Sequence, residues 1–418
     1  MRPSLRTGPH PPLAQRRDAL TALALLVAEW ALTLWVAPWS DERVNDLFVY
    51  RSFAEPLLDG GLPYRDIAFE YPPLAAPAIA LPGVLGTGAE SFRWAFALWT
   101  LAGGVAVVLL CGALARATGG DPRRAMLAAA LMPVLCGALV RTHFDLFPVA
   151  LLLAGLLLLC RDRPRAGMTV LGLGAMTKLF PLVAVPVALV WLVTRGRRRE
   201  AWQSALACAA TITVVAAAAL AVSADGAADA VRYQLDRPVQ IESSPAMVLL
   251  ALDAAGAGDA VSISSHRSDG LLHDASGAVS ALLAGVMVGL VVLLASRVGR
   301  TRRELVLASL AATIAFALLG KVLSPQFVIW ALPLGALALA WRRHALAAAV
   351  ALAAVLTQVE FPAHYFDVVA REPLALVLVA VRNGALLAAL VLAMRELQPR
   401  RQEQLLDSRR AALAVRVD

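Results

Sequence analysis

The residues best suited to chemistry lie close together in the segment 41–73. This segment directly follows the first long apolar stretch and contains seven acidic residues. It also carries six aromatic side chains, Phe48, Tyr50, Phe53, Tyr64, Phe69 and Tyr71. A carboxylate beside a membrane surface can accept a proton from a hydroxyl group, and such a base accelerates a reaction about 10²–10⁴-fold. Asp46 follows Trp39, a predicted interfacial anchor, and is the leading candidate for a general base.

Asp46 has competitors for this role. Asp41, Asp66 and Glu70 lie in the same segment, and Asp66 and Glu70 could also orient an acceptor. A solvated acid near a helix start explains Asp46 without any chemistry, and from the residues alone this is the simpler interpretation.

Lysine occurs only twice, at Lys178 and Lys321, and every other basic side chain is Arg or His. Both lysines lie at ends of apolar stretches, in the sequences MTKLFPL and GKVLSPQF. An ionisable group at such a depth indicates a functional site, and a compact ammonium group suits a phosphate. The structural alternative is that each lysine reaches back to the membrane interface. We expect both lysines to bind a phosphate.

The turn 141–146 places Arg141, His143 and Asp145 at a junction between two apolar stretches. It could hold a sugar-phosphate or pyrophosphate group, or it could pair only with itself. In the last apolar stretch, Arg382 requires either a phosphate or an acid as its partner.

Two further patterns narrow the possible functions. A polar patch favours a structural or acceptor-binding role; its members are Arg237, Glu242, Ser243 and Ser244. The chain has no HExxH or DxD motif and no Cys/His metal spacing, so no metal site is predicted, although a divalent ion shared by carboxylates and phosphate stays open. The absence of a P-loop and of GxGxxG argues against nucleotide hydrolysis and dinucleotide chemistry.

The composition indicates a membrane protein with many spans. The chain is 59% hydrophobic and 16% charged, whereas soluble domains are about 45–50% apolar and about 25% charged. Apolar stretches of span length recur throughout. The net charge of +8 comes from arginines clustered in short loops, a pattern that sets membrane orientation and does not indicate nucleic-acid binding. The four cysteines lie in or beside apolar stretches, so no disulfide framework is predicted.

These patterns predict one membrane domain over 1–418 with both termini cytoplasmic. The cytoplasmic ends are 1–19 and 395–418. A catalytic outer loop occupies 40–91 and includes a partly inserted hairpin at 71–86, and a second long outer loop occupies 223–274. Within that second loop we expect 231–245 to be ordered and 256–270 to be flexible. Twelve spans are predicted, at 20–39, 92–115, 126–141, 144–160, 166–177, 180–193, 202–222, 275–295, 305–319, 325–341, 345–358 and 373–394.

Several motifs in a fixed order resemble glycosyltransferase family 87. They are GGLPYRD, EYPPL, KLFPL, DRPVQIESSP and KVLSPQFVIW. The resemblance covers about 46–383 and implies an all-α GT-C membrane fold with an outward-facing site. It implies a polyprenyl-phosphate sugar donor, usually the mannose form, attacked with inversion. The family's catalytic Asp maps onto Asp46, and its lysine and Ser-Pro-Gln turn map onto Lys321, Ser324 and Gln326. The segment 256–270 has no counterpart.

The combined hypothesis is a transferase in a bacterial inner membrane. It would move a hexose, mannose first, from a polyprenyl phosphate to a hydroxyl of a lipid or cell-envelope glycan. Asp46 would take the proton, and Lys178, Lys321, Arg141 and Arg382 would neutralise the phosphate. The predicted substrate contacts are Tyr50, Tyr64, Asp66, Glu70, Tyr71, His143, Asp145, Arg237, Glu242, Ser324 and Gln326.

Two rival hypotheses belong to other classes. A transporter or flippase for a lipid-linked sugar predicts inverted repeats and helices broken at mid-membrane. A non-catalytic scaffold gives no reason for acids and two unique lysines to gather on one side of the membrane. The gathering of polar groups on the outer side favours the transferase.

Overall fold

The computed structural model describes residues 12–397, so most of the predicted cytoplasmic tail and part of the predicted N-terminal segment lie outside the described residues. The described chain is mainly helical. Its α-helices are α1 (Pro12–Trp35), α2 (Leu47–Leu58), α3 (Ala75–Ala80), α4 (Ala89–Ala117), α5 (Pro122–Ala130), α6 (Met132–Cys136), α7 (Leu139–Thr142), α8 (Leu146–Cys160), α9 (Pro164–Thr177), α10 (Ala184–Thr194), α11 (Arg198–Val222), α12 (Ala224–Asp236), α13 (Ser244–Ala254), α14 (Ser276–Arg297), α15 (Arg302–Leu319), α16 (Val328–Ala340), α17 (His344–Glu360), α18 (Tyr365–Val369) and α19 (Pro373–Glu396).

Successive long helices reverse direction, so their connections fall on two sides. On one side, which we call the arginine side, Asp162 pairs with Arg197 and Arg302 at 2.7 Å each. There the Asp121 amide also donates to the Ala340 carbonyl at 3.1 Å. The opposite side, which we call the loop side, carries the long connections 36–74 and 223–275. The arginine clustering seen in the sequence therefore corresponds to one side of the folded chain.

Five helices are long and apolar enough to cross a membrane: Gln15–Trp35 within α1, and α4, α11, α14 and α19. The other predicted spans correspond to shorter helices, and the count of twelve is not confirmed. The predicted span 126–141 is broken into α5, α6 and α7. Pro133 lies in the first turn of α6, and Gly137 follows the helix with a φ of 55°, which ends it.

Two of these helices expose most of their surface. Only 11% of the most apolar window is buried in α11, and the same holds for α14. Their exposed side chains include Val214, Leu282 and Val292. An apolar helix that protein does not cover is suited to contact with lipid, so this surface supports the membrane assignment.

The proline-rich segment predicted to enter the membrane only partly is short. It forms α3 followed by a 3-10 turn, Leu81–Leu85. Together the eleven residues Ala75–Leu85 rise about 16–20 Å, compared with about 30 Å for the hydrocarbon core. The partly inserted position stays a prediction, and this length supports it.

The second long loop corrects two expectations, because it contains a small β-sheet. The strands β1 (Val239–Gln240), β2 (Val261–Ser265) and β3 (Ser268–Leu272) pair antiparallel in the order β1-β3-β2. The fold is therefore not entirely α-helical, and the stretch expected to be flexible forms a hairpin. Its turn residues, His266 and Arg267, have φ values of 51° and 55°, which a tight two-residue hairpin turn requires.

Three buried clusters organise these elements. The largest joins α1, α4, α5, α8 to α10, α15 to α17 and α19. A second cluster is aromatic and joins the segment 47–79 to α4 and to Phe144. A third packs β1, β3 and α13 against α18 and α19. The aromatic cluster holds the acid-rich segment against the ends of the long helices and thereby places its side chains.

Candidate functional site

The candidate site is built on the short turn between α7 and α8. His143 has extended backbone, with φ −133° and ψ 145°, and interrupts the helix. Asp145 returns to helical backbone and begins α8. Both side chains are buried, with exposures of 2% and 0%. The turn therefore places an imidazole and a carboxylate, two residues apart, inside the loop side of the protein.

Asp46 lies on one side of this turn, at the N-terminus of α2. Its Oδ2 atom accepts a hydrogen bond from the Tyr50 hydroxyl at 3.1 Å and lies 3.4 Å from His143 Nε2. Tyr50 is four residues further along, so one turn of α2 brings its hydroxyl back to the carboxylate. A third of the Asp46 side chain is exposed. Asp46 can therefore meet a substrate from solvent while two buried side chains fix its orientation.

Lys178 lies on the other side of the turn and pairs with Asp145. Its Nζ atom is 2.7 Å from Asp145 Oδ1, which also accepts a bond from Trp330 Nε1 at 2.6 Å. The ammonium lies 4.9 Å from the ring centre of Phe144, 5.4 Å from that of Phe327 and 5.5 Å from that of Trp330. The ammonium group therefore contacts three aromatic faces and a buried carboxylate. Lys178 is thus a fixed cation.

The wall between these two charged groups is aromatic. Tyr71 lies 5.4 Å from Phe144 and 6.2 Å from Tyr50 between ring centres. The Tyr64 hydroxyl donates to the Tyr71 carbonyl at 2.7 Å, which fixes the course of this segment. Burial, with the nearby Asp46 carboxylate, raises the pKa of Tyr50 and of Tyr71 above the usual value. Both phenols therefore stay neutral and can donate hydrogen bonds.

The rim of the site is formed by Glu70 and by the tip of the β2–β3 hairpin. Arg267 Nη1 lies 3.6 Å from Glu70 Oε1, and its guanidinium lies 4.9 Å from the ring centre of Phe53. Burial raises the pKa of Glu70, and the charge of Arg267 opposes that rise. Arg237 donates to Ser268 Oγ at 3.3 Å and forms no ion pair with an acid of the described chain.

Close packing at a single glycine holds this rim together. Gly226 lies in the first turn of α12, and a Cβ atom there would be 1.8 Å from the Tyr64 carbonyl oxygen. Gln234 of the same helix donates to the Glu70 carbonyl at 3.0 Å. Only glycine permits this backbone approach, so α12 is locked onto the acid-rich segment.

Two of the predicted phosphate ligands, Arg141 and Arg382, are buried and paired with acids of the protein. The Arg141 side chain is fully enclosed: it pairs with Glu42 and donates to the Thr33 carbonyl at 2.8 Å. Arg382 is buried on α19 beside Glu242 and Glu360, at distances of 3.9 and 3.2 Å. The sequence allowed either a phosphate or an acid as the partner of Arg382, and the structure provides two acids.

Lys321 is also engaged by protein groups. Its Nζ atom donates to the carbonyl oxygens of Leu235 at 2.6 Å and Arg237 at 2.8 Å, at the C-terminus of α12. A cation is favourable at that end of a helix. Burial, together with the neighbouring Arg237 charge, lowers the pKa of Lys321. Lys321 therefore orients the rim and lies next to a second cation.

The remaining predicted contacts occupy different positions. Asp66 accepts a bond from the Leu62 amide at 2.8 Å and pairs with Arg65, which lowers its pKa, so it shapes its own turn. Ser324 is buried and donates to Gln240 Oε1 at 3.2 Å. Gln326 is half-buried before α16. Within the described range 12–397, no three His, Cys, Asp or Glu side chains come together as metal ligands.

Sequence reasoning missed several residues that the fold brings to the site. Trp330 and Phe327 lie near Lys178, and Arg267 reaches Glu70 from a stretch expected to be flexible. One signal was available for the first pair: Phe327 and Trp330 are three residues apart directly after the Ser-Pro-Gln turn, and this spacing places them on one helix face. No comparable pattern marks Arg267.

No curated protein matches the chain. Among solved structures, it is similar to the crystal structure of an oligosaccharyltransferase from Archaeoglobus fulgidus, in complex with Zn and sulfate, with 16% identity and a TM-score of 0.42. That match covers 90% of this chain and 54% of the other, so the chain spans about half of that protein's length.

A family model also matches the chain. The model of glycosyltransferase family 87 matches residues 69–325, which is more than half of the 418 residues. The match includes the segment Ala75–Leu85 before α4 and the turn with His143 and Asp145. It also includes Lys178, Lys321, Glu70 at the rim and Glu242 beside Arg382. The chain therefore belongs to glycosyltransferase family 87.

Proposed function

We propose that this protein transfers a hexose, mannose first, from a polyprenyl phosphate to a hydroxyl group of a lipid or cell-envelope glycan. The reaction takes place on the loop side, which we assign to the outer face of a bacterial inner membrane. The arginine side then faces the cytoplasm, as the positive-inside pattern requires. The products are the glycosylated acceptor and free polyprenyl phosphate.

One observation carries the proposal. Two opposite charges of the kind that such a transfer needs contact the same short turn. Asp46 contacts His143, and Lys178 contacts Asp145. An aromatic wall separates the two charges, and sugar rings pack well on aromatic faces. This arrangement suits three groups in a line: the acceptor hydroxyl at the base, the sugar on the aromatic surface and the phosphate at the fixed cation.

The proposed chemistry is a single displacement. The acceptor oxygen forms a bond to the anomeric carbon, while the bond between that carbon and the phosphate oxygen breaks and its electron pair goes to the phosphate. The acceptor proton passes to the Asp46 carboxylate, and the anomeric configuration inverts. Asp46 supplies the base, a contribution of about 10²–10⁴-fold. The fixed cations stabilise the charge that develops on the phosphate, which is usually the larger effect.

Lys178 is the first candidate for the phosphate contact. It is already paired with Asp145, so a phosphate would share the ammonium with that carboxylate. Arg237 is the second candidate, because it forms no ion pair with a described acid and its charge acts on Tyr71 and Glu70. Lys321 lies beside Arg237 and adds to the positive potential. Arg141 and Arg382 are left out of the phosphate contact because their side chains are 0% and 2% exposed, whereas that of Lys178 is 15% exposed.

The acceptor would enter at the rim. Glu70 and Arg267 form a pair with a partly exposed guanidinium, whose side chain is 45% exposed. Because solvent reaches this guanidinium, an acceptor with several hydroxyl groups could displace Arg267 and bond to Glu70. The β2–β3 hairpin is then the part of the protein that contacts the acceptor.

The test is sugar transfer by the purified protein in nanodiscs. Radiolabelled polyprenyl-phosphate mannose and a crude envelope lipid extract are supplied to the wild type and to Asp46→Asn. Label on a new lipid with the wild type alone supports both the donor and the base. Donor binding without any transfer, combined with movement of the donor across a sealed vesicle, would contradict the proposal and favour the rival transporter. No binding of polyprenyl-phosphate sugars would exclude this donor class.

A further inference from the structure

A second group of ionisable side chains lies away from the candidate site, where the second long loop meets α17 and α19. Glu242 follows β1, Glu360 ends α17, and Arg382 lies within α19. The exposures of Glu242 and Glu360 are 0%, and that of Arg382 is 2%. Arg382 Nη1 lies 3.2 Å from Glu360 Oε2 and 3.9 Å from Glu242 Oε1. Three charged groups thus meet without access to water.

The hydrogen bonds of this group are incomplete. Arg382 Nη2 and Asn383 Nδ2 both donate to the Glu242 carbonyl, at 2.6 and 3.2 Å. Gln240 Nε2 donates to Glu242 Oε2 at 2.8 Å. The second oxygen of each carboxyl group, Oε1 of Glu242 and Oε1 of Glu360, is buried and has no hydrogen-bond partner. Two buried acceptors without a hydrogen-bond donor are expensive.

The charges do not balance either. Two carboxylates and one guanidinium leave a net charge of −1 in a buried position, and an uncompensated buried charge usually neutralises by binding a proton. The other titratable groups that face the pair do not supply a positive charge. They are Asp269 on β3, whose carboxylate repels Glu242, and Tyr365 on α18, which donates to Asp269 Oδ2 at 2.7 Å.

We propose that Glu242 and Glu360 bind one proton between them, and that this shared proton holds the second long loop against α17 and α19. The proton gives one carboxyl group an O–H donor, so it satisfies one orphan oxygen and reduces the net charge to zero. Like-charged carboxylates in one buried place cannot both be ionised at low cost. The Glu242–Glu360 pair is thus a proton site, distinct from Asp46 and its neighbours.

This proton site is connected to the candidate active site through hydrogen bonds. The Gln240 side chain joins Glu242 to Ser324 through hydrogen bonds of 2.8 and 3.2 Å. The backbone N–H of Gln240 donates to the Lys321 carbonyl at 3.0 Å. The chain then continues directly into Phe327 and Trp330, which surround Lys178. Glu242 and Glu360 are therefore positioning residues: loss of their proton would loosen the segment that holds Lys178 in place.

The pH dependence follows from the sign of the shift. Burial and the neighbouring Glu360 raise the pKa of Glu242 well above the ordinary value of 4.5. The folded protein therefore keeps a proton that the unfolded chain has released, and stability falls as pH rises between the two pKa values. The expected slope is about a tenfold loss in the folding equilibrium constant per pH unit. Below the ordinary pKa this contribution is fully present.

The experiment compares thermal unfolding from pH 5 to pH 9 in one detergent for the wild type, Glu360→Gln, Glu242→Gln and the control Glu372→Gln. Gln has the shape and charge of the protonated acid, so we expect at least one buried Gln variant to fold and to lose the downward slope. Glu372 is exposed at the start of α19, and its variant should keep the slope. A flat wild-type profile, an unchanged slope in both buried variants, or failure of both to fold would overturn the proposal.

A second measurement follows the proton directly. The infrared spectrum of the wild type should contain a carbonyl stretch from a protonated carboxyl group that is lost in the variant with the flattened slope. If both buried variants keep that band, the proposal is wrong. Neither measurement needs a substrate, so a failed transfer assay would not be confused with a failed proton site. If the preparation is active, the Gln variant whose stability no longer falls with pH should keep its turnover at alkaline pH, where the turnover of the wild type declines.

Discussion

Replacement of Asp46 by Asn separates the proposed chemistry from folding. The Asn side chain keeps an oxygen that can accept the Tyr50 hydroxyl, now 3.1 Å from Oδ2, and keeps a polar contact to His143. Because a third of the side chain is exposed, we expect a change in the free energy of unfolding within about 0.5 kcal/mol. Asp46→Ala is a poorer choice, because it would leave the buried Tyr50 hydroxyl without an acceptor, at a cost of about 1–3 kcal/mol.

The expected effect on transfer is much larger. Loss of a general base lowers the rate about 10²–10⁴-fold, which corresponds to about 2.7–5.4 kcal/mol in the activation free energy. The assay is single-turnover transfer of labelled sugar, with donor binding measured in parallel and expected to be unchanged. The control is Asp59→Asn, an exposed acid at the end of α2, which should retain wild-type turnover. A rate for Asp46→Asn within threefold of the wild type would refute the assignment.

The other predictions concern the phosphate side and the rim. Lys178→Met leaves the Asp145 carboxylate buried and unpaired, so we expect a loss of about 3–5 kcal/mol of stability. The double variant Lys178→Met/Asp145→Asn should recover its melting temperature but not transfer, and recovery of both would contradict the phosphate role. Trp330→Phe keeps ring stacking but loses the donor to Asp145, and we expect a lower kcat with an unchanged acceptor KM. Arg267→Ala should lower stability by about 1–3 kcal/mol, because it leaves the mostly buried Glu70 without its ion-pair partner, and should alter the acceptor KM; an unchanged KM would remove the hairpin from the acceptor site.

Much of the architecture could be predicted from the sequence because a membrane imposes simple rules. Apolar length and arginine clustering follow directly from the chain, and both reappear as long helices with an arginine side. The number of spans does not follow from apolar length in the same way. Pro133 and Gly137 break one predicted span into three helices, and several other apolar helices have only 10–17 residues.

The candidate site was predicted in part for a similar reason. Asp46, Lys178 and the turn with His143 and Asp145 were noticed because charged groups are rare beside apolar stretches. Their pairing was not predictable, since Lys178 meets Asp145 from 33 positions away. The β2–β3 hairpin was missed because its Gly, Ser and Asp content is typical of flexible loops. Pairing with β1 supplies the order that its own composition lacks.

The sequence by itself determined the class of protein, its family and the residue types available for chemistry. Composition and short motifs are local properties, and they survive without knowledge of contacts. Only the tertiary structure decided which charged groups lie together and how deeply each is buried. Lys178 and Asp46 contact one turn and stay partly exposed, whereas Arg141 and Arg382 are enclosed beside Glu42, Glu242 and Glu360. Most of those partners come from distant parts of the chain. The tertiary packing therefore determines which groups pair with a buried charge.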